Sequence, residues 1–319
     1  MNAIYRAILA LSFLFASSAT HAATHNVVSG QSLQAVVDAS ASGDYIRLLS
    51  ATYGDVKIVN KDLVIKSMGQ TPAFMGNLEI EGSFVRLIRT RASTLKASDL
   101  PGDPGKLHIV QGDFITADVN CSQSKILYTT FKHLTIAKKG LVVGCEFDGK
   151  AGIGIGIDVY GAGSVVTIRN SRIHDYSAST DSELTETLIG IRVRDNADAF
   201  ILNNLIYSCK DTDVDGKETD SGMGVWVKDG SKVTILGNVI WDCFIHPYSS
   251  TNPAHRNTRG NSLIYAPLGT VVRHNVLYKN NVHVNLYEGS VTPNEVINTE
   301  PLFVNLAAGN FTLQVTSPC

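Results

Sequence analysis

Ile168-Arg-Asn-Ser171-Arg-Ile173, Ile201-Leu-Asn-Asn204-Leu-Ile206, Ile235-Leu-Gly-Asn238-Val-Ile240 and Val272-Arg-His-Asn275-Val-Leu277 are four versions of one segment. Their shared column, Ser171, Asn204, Asn238 and Asn275, advances by 33, 34 and 37 residues. Gly144-Cys145-Glu-Phe147 is an earlier, weaker copy. A second motif precedes each copy: Gly156-Ile-Asp-Val-Tyr160, Gly190-Ile-Arg-Val-Arg194, Gly224-Val-Trp-Val-Lys228 and Ser262-Leu-Ile-Tyr265. A repeat of this period marks a stacked architecture. Alternation of apolar and polar residues within each copy marks strands, which excludes helical repeats of similar length. One lap cannot bury its apolar side alone, but stacked laps share a continuous core. Ile157, Val159, Ile191, Val193, Val225 and Val227 are therefore expected to point inward as aliphatic columns. The Asn column is expected at a bend, its amides bonding lap to lap, a structural role and not a catalytic one.

Working outward, an open-ended stack needs its edge strands covered. Ser32 to Ala39 reads as an amphipathic helix with Leu33, Val36 and Val37 on one side and Ser32 as N-cap. It is expected to plug the N-terminal end. The first lap begins with Gly43-Asp-Tyr-Ile-Arg-Leu-Leu-Ser-Ala-Thr-Tyr-Gly-Asp-Val56. Helix and first lap together resemble the start of right-handed parallel β-helix proteins of the pectin-lyase-like superfamily. Glu300-Pro-Leu-Phe303, Gly309-Asn-Phe-Thr-Leu313 and Ser317-Pro-Cys319 resemble the last coil of secreted bacterial members. The resemblance implies an all-β, right-handed parallel β-helix with an N-terminal capping helix. It implies one domain over residues 23–319, truncated at its C-terminal end.

Residues 1–22 read as a signal peptide. Arg6 precedes the apolar run Ala7 to Ala16, which is too short to span a bilayer. Cleavage is expected near Ala22–Ala23, giving a secreted protein, extracellular or periplasmic, with no membrane span. Without Arg6 the 27 basic residues become 26 against 29 acidic, a balance that argues against a nucleic-acid partner. Export permits disulfides. Cys121 with Cys145, and Cys209 with Cys243, lie about one lap apart; bridges and buried thiols both fit that spacing.

Strands in neighbouring laps lie about 4.8 Å apart, so outward residues form columns. Asp158, Arg192 and Trp226 are expected in one column, with Leu263 next. Tyr160, Arg194 and Lys228 are expected in the adjacent column, with Tyr265 next. Cations beside aromatic rings suit an acidic sugar chain; a solvated face with Arg–Asp pairs is the competing reading. Long segments at 176–189, 210–222 and 244–261 fall just before these strands and are expected to wall a cleft. One of them contains Asp211, Asp213, Asp215, Glu218 and Asp220. Asp-x-Asp-x-Asp-Gly matches the first half of an EF-hand loop, but the twelfth position is Gly222. A Ca²⁺ site built from loop oxygens and a metal-free acidic loop both stay open.

The segment Val227-Lys228-Asp-Gly-Ser-Lys-Val-Thr-Ile-Leu-Gly237-Asn238 is similar to the Lys-bearing strand and Asn turn of alginate and chondroitin lyases of this fold. Their β-elimination neutralises a uronate, removes its C5 proton and protonates the leaving oxygen. The resemblance implies Lys228 as base and Arg192 and Arg194 as the carboxylate grip. Trp226, Tyr160, Asp158 and Tyr265 would line the substrate, with His174 and His246 as candidates for the acid. The chain departs from those lyases at Ser221, Met223 and Gly224, where they carry calcium-binding Glu. It departs again at Ile264-Tyr-Ala-Pro267, where they carry Phe-Arg-His-Gly. Polygalacturonase-type hydrolysis lacks its carboxylate set here. Three readings follow: a monomeric lyase-like protein acting on an acidic polysaccharide, a non-catalytic glycan-binding or surface protein, and a uronan epimerase. The cationic patch favours the first and the departures favour the second.

Overall fold

The computed structural model describes residues 22–152, 154–178, 188–211, 222–228, 230–245, 262–267 and 270–278, with segments 282–287, 296–297, 303–305 and 310–314. Up to Ile297 the chain winds as a right-handed parallel β-helix with three faces, whereas Phe303–Asn305 and Asn310–Leu313, expected as part of the last coil, pair antiparallel as a separate two-stranded sheet. The first face carries Ile155–Val159, Ile189–Val193, Met223–Val227 and Ser262–Pro267. The second is an 11-stranded sheet that includes Val165–Arg169, Asp198–Leu202 and Lys232–Leu236. The third carries Glu146–Gly152, Arg172–Ala178 and Leu205–Asp211.

The laps lengthen along the chain. On the second face Tyr45 pairs with Val64, then Arg86, His108, Lys125 and Leu141, advances of 16 to 22 residues. The following partners are Thr167, Phe200, Thr234 and Val271, advances of 26, 33, 34 and 37. The early laps are short because one strand crosses both the third and first faces. In Phe74–Glu81 the buried residues are Met75, Leu78 and Ile80; in Asp113–Asn120 they are Phe114, Ala117 and Val119. The gap of three puts two outward residues in a row, which bends the strand. Later laps insert residues at that same corner. Segments 179–187, 212–221 and 246–261, the expected cleft wall, fall there and lie outside the described residues.

The opposite corner, between the second and third faces, turns on one left-handed residue per lap. Arg89, Gln111, Tyr128, Gly144, Asn170, Asn203, Gly237 and His274 have φ between 51° and 69°. Each donates its N–H to the next lap wherever that lap is described, as Asn203 does to Leu236. A small or amide side chain follows and is buried: Thr90, Thr129, Cys145, Ser171, Asn204, Asn238 and Asn275. The Asn ladder is thus the C-terminal half of a longer polar column.

The expected aliphatic columns are present, with Ile157, Val159, Ile191, Val193, Val225 and Val227 all fully buried. On the third face Phe114, Phe131 and Phe147 stack at 5.6 and 5.4 Å. The helix spans Leu33–Ala39, with the Ser32 side chain accepting from the Ala35 N–H and Leu33 and Val37 buried. No helix among the described residues is long and apolar enough to cross a membrane.

Cys121, Cys145, Cys209 and Cys243 are buried free thiols. Cys121 and Cys145 sit at different corners, one just before Gln123–Leu127 and the other just before Glu146–Gly152, so lap spacing does not bring them together. Cys209 and Cys243 are neighbours on adjacent laps and share a hydrogen bond. Burial pushes the Cys121 and Cys145 thiols up to about 11, which keeps them protonated and inert.

Gly190 is the second residue of its first-face strand, where no larger residue fits. A Cβ there would lie 2.7 Å from the Gly224 carbonyl oxygen and 2.7 Å from Ile206 Cγ2; at Gly156 the Gly190 oxygen would be 2.6 Å away. Gly190→Ala is expected to destabilise by ~1–3 kcal/mol, seen as a lower urea midpoint. An unchanged midpoint would show that neighbouring laps can spread at no cost.

Candidate functional site

The first face carries one outward column through nine laps. Its members in register are Lys57, Glu79, Lys96, Asp118, Thr135, Asp158, Arg192, Trp226 and Tyr265. At the N-terminal end the charges alternate and compensate, Lys57 reaching Glu81 at 2.9 Å and Glu79 at 3.3 Å. At the C-terminal end acids give way to cations and rings.

Asp158 is the centre of that end. Its carboxylate accepts from Arg192 Nε at 3.0 Å and Nη2 at 2.8 Å. It also accepts from Arg194 Nε at 3.1 and 3.2 Å and Nη2 at 3.0 Å. Burial pushes this carboxyl up, but the two guanidiniums outweigh it and hold it below the usual carboxylate range. Arg194 is in turn raised, chiefly by its bond to Asp158. It also bonds Asp195 and lies over the Tyr160 ring at 5.2 Å. Lys228 follows Arg194 one lap on, its N–H bonding the Val193 carbonyl, with its ammonium 4.6 Å from the Trp226 ring centre.

Three expectations change. Tyr265 pairs with Trp226, not Lys228, because the strand Ser262–Pro267 enters two residues out of the expected register; Leu263 loses the place assigned to it. Trp226 is 2% exposed, packed with Ile189, Met223 and Tyr265 and faced by Lys228. It is therefore not an open platform for a sugar ring. Arg192 and Arg194 are not a bare carboxylate grip: Asp158 already occupies them, so a substrate carboxylate must compete with it.

His174 is not part of this group. It lies three residues past the Asn corner, on the third face, and is 6% exposed. Its Nδ1 is 2.8 Å from Asp175 and its Nε2 is 3.2 Å from Glu146, which also pairs with Arg172. Its ring stacks on Tyr207 at 4.8 Å, and Tyr207 stacks on Trp241 at 4.7 Å. Both faces of Tyr207 are thereby used, so this stack seals the sheet and does not offer a sugar platform. Asp148, His174 and Asp175 bring donor atoms within 4.8 Å of one another, a grouping that sequence reasoning missed. The signal was present: Asp148, His174, Tyr207 and Trp241 each stand three residues after a corner residue, Cys145, Ser171, Asn204 or Asn238.

A groove of about 480 Å³ runs along that corner, lined by Glu146, Asn170, Arg172, Asn203, Leu205 and others, away from Lys228. His246 and the acidic residues Asp213, Asp215, Glu218 and Asp220 lie outside the described residues, as does the Asp211 side chain. The expected Ca²⁺ loop falls there.

A family model described as "Right handed beta helix region" matches residues 119–309. Among solved structures, "Crystal structure of pectate lyase Pel9A" is similar at a TM-score of 0.48 and 12% identity, covering 93% of this chain and 90% of that one. No curated protein matches the sequence.

Proposed function

The chain belongs to the right-handed β-helix family, and from that premise we propose that it is an exported protein that binds an acidic, uronate-containing glycan on its first face. The observation that supports this is a cation beside a ring on successive laps: Arg194 over Tyr160, then Lys228 over Trp226. The rings hold the cations in place, and a row of held cations suits a chain whose carboxylates recur along its length. Asp158 braces Arg192 and Arg194, fixing their planes before a ligand arrives. Rigid, pre-oriented cations lose less entropy on binding.

Cleavage by β-elimination is the second reading. The observation in its favour is Lys228, held between the Arg194 lap and the indole at the exit of its strand. An epimerase would use the same proton abstraction and return the proton to the opposite face. The acidic loop would add Ca²⁺ to either chemistry.

The test mixes the full chain with polygalacturonate, alginate and chondroitin, with and without Ca²⁺, and follows binding and the ultraviolet absorbance of unsaturated uronate ends. Binding without absorbance is expected. Lys228→Ala is expected to weaken that binding roughly five- to tenfold. Rising absorbance that Lys228→Ala abolishes would move the conclusion to the lyase. No binding to any of the three would end the proposal.

A further inference from the structure

The second face handles charge differently from the first. After the edge strand Thr24–Val27, its strands are Tyr45–Leu48, Leu63–Ser67, Phe84–Ile88, Lys106–Val110, Gln123–Leu127 and Lys139–Val143. Their outward positions hold Arg47, Lys66, Arg86, Lys106, Lys125 and Lys139, with His108, and no carboxylate. Arg47 stands beside Lys66, and Arg86, His108 and Lys125 form one unbroken column. Lys106 follows Phe84 in the adjacent column, and Lys139 comes two laps later. Among the described residues no ion pair engages these six cations. Asp62, in the turn before Leu63, is the acid flanking the row, and it accepts the Phe84 N–H. The next outward carboxylate along this sheet is Asp198.

Like charges one lap apart repel, costing just under 1 kcal/mol each even in water at about 5 Å. The first face avoids this by alternating Lys57, Glu79, Lys96 and Asp118. The second face sets Arg47 directly beside Lys66 and puts Arg86, Lys106, Lys125 and Lys139 each on the diagonal from the cation before it, with no carboxylate between them, in a chain whose overall charge is only −2. His108 lies in the middle of these cations: burial, then Lys125, Arg86 and Lys106, lower its pKa. A bound polyanion would relieve the repulsion.

We infer that this row, from Arg47 to Lys139, is a docking surface for a linear acidic polysaccharide lying along the coil axis, independent of the first-face site. Cations recur at the lap spacing, close to the repeat of carboxylates along an extended sugar chain. Two or three outward positions per strand make the surface narrow, which suits one polymer chain. Single-stranded nucleic acid asks for successive aromatic platforms; here Phe84 is turned edge-on to His108 at 5.0 Å and the Tyr45 ring lies under Arg47 at 5.6 Å, two laps away from it. An anionic membrane asks for projecting apolar wedges; the neighbouring Ile88, Val110 and Leu127 are half-buried in the sheet.

The test compares the full chain with the variant Arg86→Gln/Lys106→Gln/Lys125→Gln and with Lys228→Ala. The probes are polygalacturonate, a single-stranded oligonucleotide and phosphatidylserine vesicles at low salt. The triple variant is expected to bind polygalacturonate ~10-fold or more weakly, with a shallower salt dependence. In the wild type, polygalacturonate is expected to raise the His108 titration midpoint observed by NMR, and Lys228→Ala is expected to keep that response. A His108 response that survives while Lys228→Ala changes no binding would support this surface and count against the first-face site. Unaltered binding by the triple variant, or a His108 midpoint that polygalacturonate does not move, would overturn the inference. Tighter binding to the oligonucleotide or the vesicles than to the glycan would overturn the choice of partner.

Discussion

Replacing Asn238 by Ala is expected to lower the free energy of unfolding by about 3–5 kcal/mol. The side chain is fully buried at the corner between the second and third faces. Its Oδ1 accepts from the Asn204 N–H at 2.8 Å and Nδ2 at 3.0 Å. Its Nδ2 donates to the Ile201 carbonyl at 2.9 Å and to Asn275 Oδ1 at 2.9 Å. Alanine removes all four bonds and leaves donors and acceptors of the two flanking laps buried without them, each costing about 1–3 kcal/mol. Partial relaxation of the corner keeps the total below the simple sum. Since each lap touches only its neighbours, the damage should be local. Hydrogen exchange is expected to speed at Asn204 and in the adjacent corner residues first, while Ile65 and Leu87 in the early laps stay protected. Ser171→Ala, which loses a hydroxyl donating to the Arg169 carbonyl and accepting from the Cys145 N–H, should cost only about 1 kcal/mol. Equal urea midpoints for Asn238→Ala and Ser171→Ala would mean that water replaces the amide ladder.

The ladder also explains how much of the fold could be read in advance. Asn204, Asn238 and Asn275 share one residue type because an amide both donates and accepts toward the laps on either side. The column was visible for that reason. In the earlier laps Thr90, Thr129 and Cys145 fill the same place with smaller groups, and the laps themselves shrink to 16–22 residues. Residue identity and period change together, so the repeat vanished from view although the geometry continues. The first-face strands were equally legible from alternation, yet Tyr265 was placed two residues off. Register there depends on how the chain returns from residues 246–261, whose length varies from lap to lap, and alternation is blind to a slip of two. The burial of Trp226 was hidden for a different cause. An outward position on a strand says nothing of what covers it: Ile189 and Tyr265 come from the laps before and after, and Met223 and Lys228 from Trp226's own lap. His174, expected as a candidate for the acid, stands apart from the first-face group because its partners Glu146 and Asp148 lie one lap earlier on the third face, close only in the wound chain.

Asp158→Asn is expected to have two effects of opposite sign, a loss of stability of about 2–3 kcal/mol and a gain in affinity for acidic glycan. The side chain is 9% exposed and serves two guanidiniums at once. An amide of the same shape keeps one acceptor oxygen but gives up the charge, leaving Arg192 and Arg194 under-neutralised in a largely buried setting. A uronate carboxylate that now competes with Asp158 would instead be recruited, and roughly tenfold tighter binding to polygalacturonate is expected at low salt. Acid should reveal the same group. Because the folded-state pKa of Asp158 is depressed, the folded chain holds this proton less readily than the unfolded one. Its contribution is complete above the ordinary Asp value of about 3.9 and fades as pH falls through the folded value. Wild-type stability should therefore drop more steeply below about pH 4 than that of Asp158→Asn, in which this group no longer titrates. Urea midpoints at neutral and acid pH measure the difference. Parallel curves would show that Asp158 is not coupled to the two arginines in solution, and an unchanged or weaker glycan affinity would show that those arginines are structural and do not face the ligand.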